Sequence, residues 1–201
     1  MKYQWQVLDH QVVYQGYFRM EKYTLQHDLF AGGTSGAFQR EVFERGHAVG
    51  VVPYDPVRDR VVLIEQFRVG AVGSSANPWL KEIVAGIIEP GESDEDVARR
   101  ESVEEAGCEI LQLEPITRYY VSPGGTTEQC MLYCGRVDST GVGGIHGLAE
   151  EFEDIRIEVV SIDQVAAWLA DGTINSSPAI IGLQWLLLNR EVLRKRWLAG
   201  G

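Results

Sequence analysis

The sequence predicts a mixed chain of strands and helices, α/β or α+β, without the regular βαβ alternation of a doubly wound sheet. Three observations carry that reading. The first forty-odd residues alternate apolar and polar positions with little helical period. Later segments carry helix caps beside helical patterning. The composition, 45% hydrophobic and 23% charged, is that of an ordinary globular protein. A length of 201 residues suits one domain with an appended segment.

In chain order, residues 7–44 place Val7, Val12, Val13, Tyr14, Tyr17, Phe18, Phe38, Val42 and Phe43 as in several antiparallel strands. The run Ala31-Gly32-Gly33-Thr34-Ser35-Gly36 reads as a loop among them. Two β-branched runs, 48–52 and 61–66, flank Tyr54-Asp55-Pro56-Val57-Arg58-Asp59 and predict a hairpin. Residues 93–107 give the clearest helix, with Ser93 and Asp96 as a capping box and Gly107 as the C-terminal glycine. A second helix opens at Ser161, with Gln164 three residues on, and stops at Asp171-Gly172. A third follows Ser177-Pro178 to about Leu198, with Ile180, Ile181, Leu183, Trp185, Leu186 and Leu187 as its apolar side.

Charge narrows the partners. Eighteen Lys and Arg against 29 Asp and Glu leave a net charge of −11. Such a chain repels phosphate backbones and anionic membranes, so neither nucleic acid nor membrane is expected as a partner. No run approaches the ~20 apolar residues of a membrane span. Met1 to Gln6 lack an apolar signal core, which predicts a cytoplasmic protein. Cys108, Cys130 and Cys134 are odd in number and lack metal-site spacing, so they read as buried or indifferent thiols. His10, His27, His47 and His146 likewise show no metal spacing and read as structural or surface residues.

The acids are clustered. Between Gly86 and Cys108 stand Glu89, Glu92, Asp94, Glu95, Asp96, Glu101, Glu104 and Glu105, against Arg99 and Arg100. Asp94, Glu95 and Asp96 fall in the first helical turn, where carboxylates favour the positive end of the helix dipole. Glu101, Glu104 and Glu105 share one stripe, beside a small-residue face of Ala98, Ser102 and Ala106 suited to a sheet. They read as a solvated acidic face or as carboxylates at the edge of an interface, where a hard divalent cation would relieve their repulsion. Arg100 is a surface pair or a buried strut. A second group, Glu150, Glu151, Glu153 and Asp154, follows the loop Gly141-Val142-Gly143-Gly144-Ile145-His146-Gly147 and is either solvated or able to supply a ligand or a base.

Gly86, five residues, Glu92, seven residues, then Arg100-Glu101-Ser102-Val103-Glu104-Glu105-Ala106-Gly107-Cys108 resembles the Nudix box, G-x5-E-x7-R-E-U-x-E-E-x-G-U. All its fixed residues are present; Ser102 and Cys108 stand where the pattern prefers an aliphatic. The likeness to bacterial ADP-ribose pyrophosphatases extends from about residue 12 to 188. It includes 40–47, 55–59, 62–66, Pro78-Trp79-Leu80, Ser122-Pro123-Gly124-Gly125-Thr126 and 144–151.

The resemblance implies a Nudix α/β/α sandwich with a mixed sheet, as a hydrolase domain over 46–201, and an N-terminal β segment, 1–45, exchanged across a homodimer. It implies Mg²⁺-dependent (or Mn²⁺-dependent) hydrolysis of ADP-ribose to AMP and ribose 5-phosphate, with two or more ions per site. Glu101, Glu105 and the Ala85 carbonyl would bind metal and Glu104 would support the cluster. Glu92 and Arg100 would join loop to helix. Alignment of Gly147-Leu148-Ala149 points to Glu151 as base and Glu153 as a further ligand. Arg68 and the box glycine Gly86 would meet the substrate, Arg40 and Arg45 would help bind the adenosine half, and Tyr17 would stack on adenine. Without the resemblance, Tyr17 reads as a strand residue packing a core, and Arg68 as an exposed arginine. Other readings are a hydrolase of another nucleoside-diphosphate sugar, such as GDP-mannose, and a non-catalytic nucleotide sensor; the intact Glu101, Glu104 and Glu105 argue against the sensor.

Overall fold

The computed structural model describes residues 3–74 and 77–199. The chain divides into two units, Met1–His47 with Tyr120–Gln129, and Ala48–Tyr119 with Cys130–Gly201.

The first unit is built on an antiparallel sheet of β1 (Trp5–Gln15), β2 (Arg19–His27) and β3 (Phe38–Glu44), in that order. The glycine-rich 31–36 run lies between β2 and β3 as predicted. Register shifts at Val7/Asp9 and Val12/Tyr14 bend the β1–β2 pair. The loop 122–126 belongs to this unit: the Phe43 N–H donates to the Gly125 carbonyl at 2.8 Å, and Thr127 Oγ1 donates to Glu44 at 2.6 Å.

The second unit begins with β4 (Ala48–Asp55) and β5 (Arg60–Phe67), then β6 (Trp79–Glu82), β7 (Val84–Ile87) and α1 (Asp94–Ala106). It continues through β8 (Gln112–Tyr120), β9 (Gln129–Arg136), β10 (Gly144–His146), β11 (Ile155–Ser161), α2 (Ile162–Asp171) and α3 (Ser177–Ala199). Strand order is β10-β11-β5-β4-β9-β8, with β6 on β5 and β7 on β4. β4 and β9 run parallel and the pairs of β4 with β5 and β7 antiparallel, so the sheet is mixed.

The predicted hairpin over 48–66 exists only at its turn, where Tyr54 faces Val61 and Asp55 faces Arg60. Beyond the turn β4 pairs with β7 and β9, while β5 pairs with β6 and β11. Strands buried on both faces read as continuous apolar runs, and such runs do not reveal their neighbours.

Alternation sorts these runs into two cores. Val49, Val51, Val62 and Ile64 join Val97, Ala98 and Ala106 of α1. Val52, Tyr54, Val61 and Leu63 join Val165 of α2 and Leu183, Leu186 and Trp197 of α3. The result is helix, sheet, helix, as the resemblance implied. The three cysteines are free and buried.

Candidate active site

The site is assembled on α1. Ser93 caps the helix: its Oγ accepts the Asp96 N–H at 3.2 Å and donates to the Asp96 carboxylate at 2.6 Å. Ala98, Ser102 and Ala106 are buried. The Ser102 hydroxyl donates to the Ala98 carbonyl at 2.7 Å, so a polar residue sits in the interface without an unmet donor. That face fixes the helix rotation and turns Glu101, Glu104 and Glu105 toward the edge of the packed layer.

Glu105 is the deepest of the three, with only 3% of its surface exposed. Its carboxylate accepts the Ala85 N–H at 2.9 Å. Burial pushes its carboxyl up to about 8; the Ala85 N–H and the charge of Arg68 oppose the rise, while Glu101 and Glu153 add to it. Burial also raises Glu101, with Arg100 opposing and Glu104 and Glu153 contributing like charge. Gly86 makes the fit possible, since a β-carbon there would stand 1.8 Å from Glu101 Oε1.

Arg100 ties the acids together. Its Nε and Nη2 donate to the two oxygens of Glu92 at 2.8 and 3.1 Å. Its Nη1 donates to Glu101 at 2.8 Å and to Glu104 at 3.0 Å. The hydrogen bond with Arg100 lowers the Glu92 carboxyl, and Glu92 accepts the Glu89 N–H as well, which anchors the loop before the helix. Arg100 is half-buried and combines its two readings: it pairs with Glu104 one turn on and braces Glu92 in the preceding loop.

Among the described residues, no three His, Cys, Asp or Glu side chains form a ready-made ion cage. Arg100 instead holds Glu101 and Glu104. The donor set nonetheless fits a hard divalent cation: two adjacent carboxylates, one almost fully buried, beside the backbone of β7 at Ala85. A buried carboxylate beside a second one is costly unless it is protonated or faces a cation.

Arg68, beyond the end of β5, donates to Glu82 at 2.6 Å. Sequence reasoning missed Glu82, because its pairing depends on β6 folding back onto β5. In the second acidic group, a 3-10 turn covers Ala149–Glu151. The Glu153 N–H donates to the Leu148 carbonyl at 3.2 Å, and the Leu148 N–H to the Glu153 carboxylate at 3.4 Å. The Glu151 side chain lies outside the described residues. A cleft of about 360 Å³, lined by Glu65, Asn77, Trp79, Ile145, Asp154 and Arg156, contains none of the helix carboxylates.

The remaining candidates lie in the first unit. Tyr17 is in the turn between β1 and β2 and 90% exposed, edge-on to Phe18. This corrects its reading as a core-packing strand residue: the chain turns there, and no core closes over it. Arg40 on β3 lies over the Phe38 ring at 4.8 Å. Arg45 lies over Phe18 at 5.5 Å and 3.7 Å from Glu128. Glu128, also missed, is a buried acid whose carboxyl is raised by burial, with Arg45 and His47 opposing.

The NUDIX domain family matches residues 36–180, and the chain belongs to that family. It is 48% identical over 192 residues to the ADP-ribose pyrophosphatase of Escherichia coli strain K12, covering 96% of this chain and 92% of that protein. To the ADP-ribose pyrophosphatase of Haemophilus influenzae it is 46% identical over 195 residues, 96% of this chain and 90% of the other. To the GDP-mannose pyrophosphatase of Yersinia pestis it is 34% identical over 180 residues, 84% of each. A crystal structure of an ADP compounds hydrolase superposes with a TM-score of 0.71 over 96% of both chains at 21% identity, a likeness of fold.

Proposed function

We propose that this chain hydrolyses the pyrophosphate linkage of ADP-ribose, adding one water across a P–O bond to release AMP and ribose 5-phosphate. The observation that carries the reading is Glu105, buried against the Ala85 N–H beside Glu101 on an intact Nudix helix. The choice of ADP-ribose is supported by similarity to the E. coli ADP-ribose pyrophosphatase over 96% of the chain, which includes the loops around the box.

Two or more Mg²⁺ or Mn²⁺ ions would be held by Glu101, Glu105, Glu153 and the Ala85 carbonyl. Bound there, they supply charge neutralisation at the phosphates and activation of water. Glu151 takes the proton of the attacking water. Glu104 supports the carboxylate cluster, and Glu92 with Arg100 keeps the loop before α1 in register with the helix. Arg68 meets the phosphates, and Gly86 lets the substrate's end of the sheet lie close to Glu101.

Tyr17, Arg40 and Arg45 bind the adenosine half. The N-terminal segment, 1–45, is exchanged between two copies, beside a hydrolase domain over 46–201. Trp5, Val7, Leu8, Val12, Val13 and Tyr14 of β1 are 40% to 74% exposed, an apolar strand that a second copy would cover. The protein works in the cytoplasm; no described helix is long and apolar enough to cross a membrane.

Purified protein with Mg²⁺ should release AMP from ADP-ribose, and Glu105→Gln should lower kcat by about 10³-fold or more without unfolding the protein. GDP-mannose, assayed beside it, tests a second reading supported by the Y. pestis relative. A large preference for GDP-mannose would overturn the choice of ADP-ribose. Absence of turnover with every metal would favour a binding-only role.

A further inference from the structure

The second acidic group is joined to α1 by a short chain of contacts outside the carboxylate cluster itself. Gly107 ends α1 in the left-handed region, at φ 60°. A β-carbon there would stand 2.7 Å from Cε1 of His146, so the imidazole lies against the bare α-carbon. The same ring reaches the Gly143 carbonyl through Nε2 at 3.1 Å, and His146 pairs with Ile155 of β11. Helix end, glycine loop and sheet thus meet at one side chain.

The next residue, Gly147, has φ +98°. A β-carbon on it would stand 2.7 Å from the Glu153 β-carbon and 2.9 Å from the Glu153 carbonyl oxygen. The chain from 148 to 153 can close its two hydrogen bonds between Leu148 and Glu153 only because nothing projects from Gly147. Glu153, so folded, contributes like charge to both Glu101 and Glu105.

We infer that His146 and Gly147 are positioning residues, which seat the acidic loop against the C-terminal end of the Nudix helix and so present Glu153 to the cation held by Glu101 and Glu105. This rests on the proposed metal reading of those glutamates. A side chain at Gly147 must adopt a left-handed backbone and displace Glu153. Removing the imidazole leaves the loop without its seat on Gly107.

Mn²⁺ binding, followed by electron paramagnetic resonance, tests the inference on wild type, His146→Ala, Gly147→Ala, Glu105→Gln and Glu153→Gln. His146→Ala and Gly147→Ala should weaken Mn²⁺ binding by about tenfold or more. They should also lower kcat on ADP-ribose more than they change KM. Combined with Glu153→Gln, His146→Ala should add nothing, since it acts through that carboxylate. Unchanged Mn²⁺ affinity in both variants, or full additivity with Glu153→Gln, would overturn the inference; if Gly147→Ala does not fold, the His146 cycle decides alone. If Glu105→Gln loses Mn²⁺ while the two loop variants keep it, only this inference falls. If Glu105→Gln binds Mn²⁺ like wild type, the metal reading falls and takes this inference with it.

Discussion

Asp55 shows how much one residue holds together away from the carboxylate cluster. Its buried carboxylate accepts the N–H groups of Val57 and Arg58, both the N–H and the hydroxyl of Ser139, and the Arg58 guanidinium. Burial alone would raise this carboxyl, but Ser139 and Arg58 together hold it down at about 2. A depressed carboxyl contributes stability above its unfolded value, near 4, and loses it as pH falls toward 2. Between pH 4.5 and 2 the wild type should therefore lose about 2 kcal/mol that Asp55→Asn does not lose. Urea unfolding at several pH values measures the difference between the two slopes. Parallel slopes would contradict it.

At the scale of the element, α1 is fixed by its ends and by one narrow face. Its first turn carries Asp94, Glu95 and Asp96, and the Ser93–Asp96 capping box closes two backbone donors. Ser93→Ala should cost about 1 kcal/mol in unfolding free energy, read from thermal or denaturant melts. Because Val97, Ala98 and Ala106 keep the helix packed on Val49, Val51, Val62 and Ile64 of the sheet, KM for ADP-ribose should change less than twofold. A loss of activity without a loss of stability would mean that the cap contacts the substrate.

For the whole molecule, the outer strand of the first unit is the feature to account for. An eleven-residue strand, exposed along its length, carries six large apolar side chains. Exposed apolar patches of this kind mark interaction surfaces. The proposed exchange predicts twice the 22.4 kDa chain mass in light scattering at micromolar concentration. A monomeric mass there would remove the second copy from the proposal.

Much of α1 could be read from the chain because its determinants are local. Ser93, Asp96 and Gly107 mark its ends, and the fixed spacings from Gly86 to Gly107 put Glu101, Glu104 and Glu105 on one stripe beside Ala98, Ser102 and Ala106. Strand alternation likewise assigns Val49 and Val51 to one face and Val52 and Tyr54 to the other, since neighbouring residues on a strand point opposite ways. What needed the folded chain was every relation between distant segments. The parting of β4 from β5 beyond their turn, the parallel partner β9, Glu82 against Arg68, and Ser139 under Asp55 are set by register and packing, and no local signal encodes them. His146 belongs with these. From the chain it is one histidine without metal spacing; its place on the bare carbon of Gly107 exists only once β10 lies beside the end of α1. Local rules placed the acids on the helix, and tertiary packing decided which were buried and what would face them.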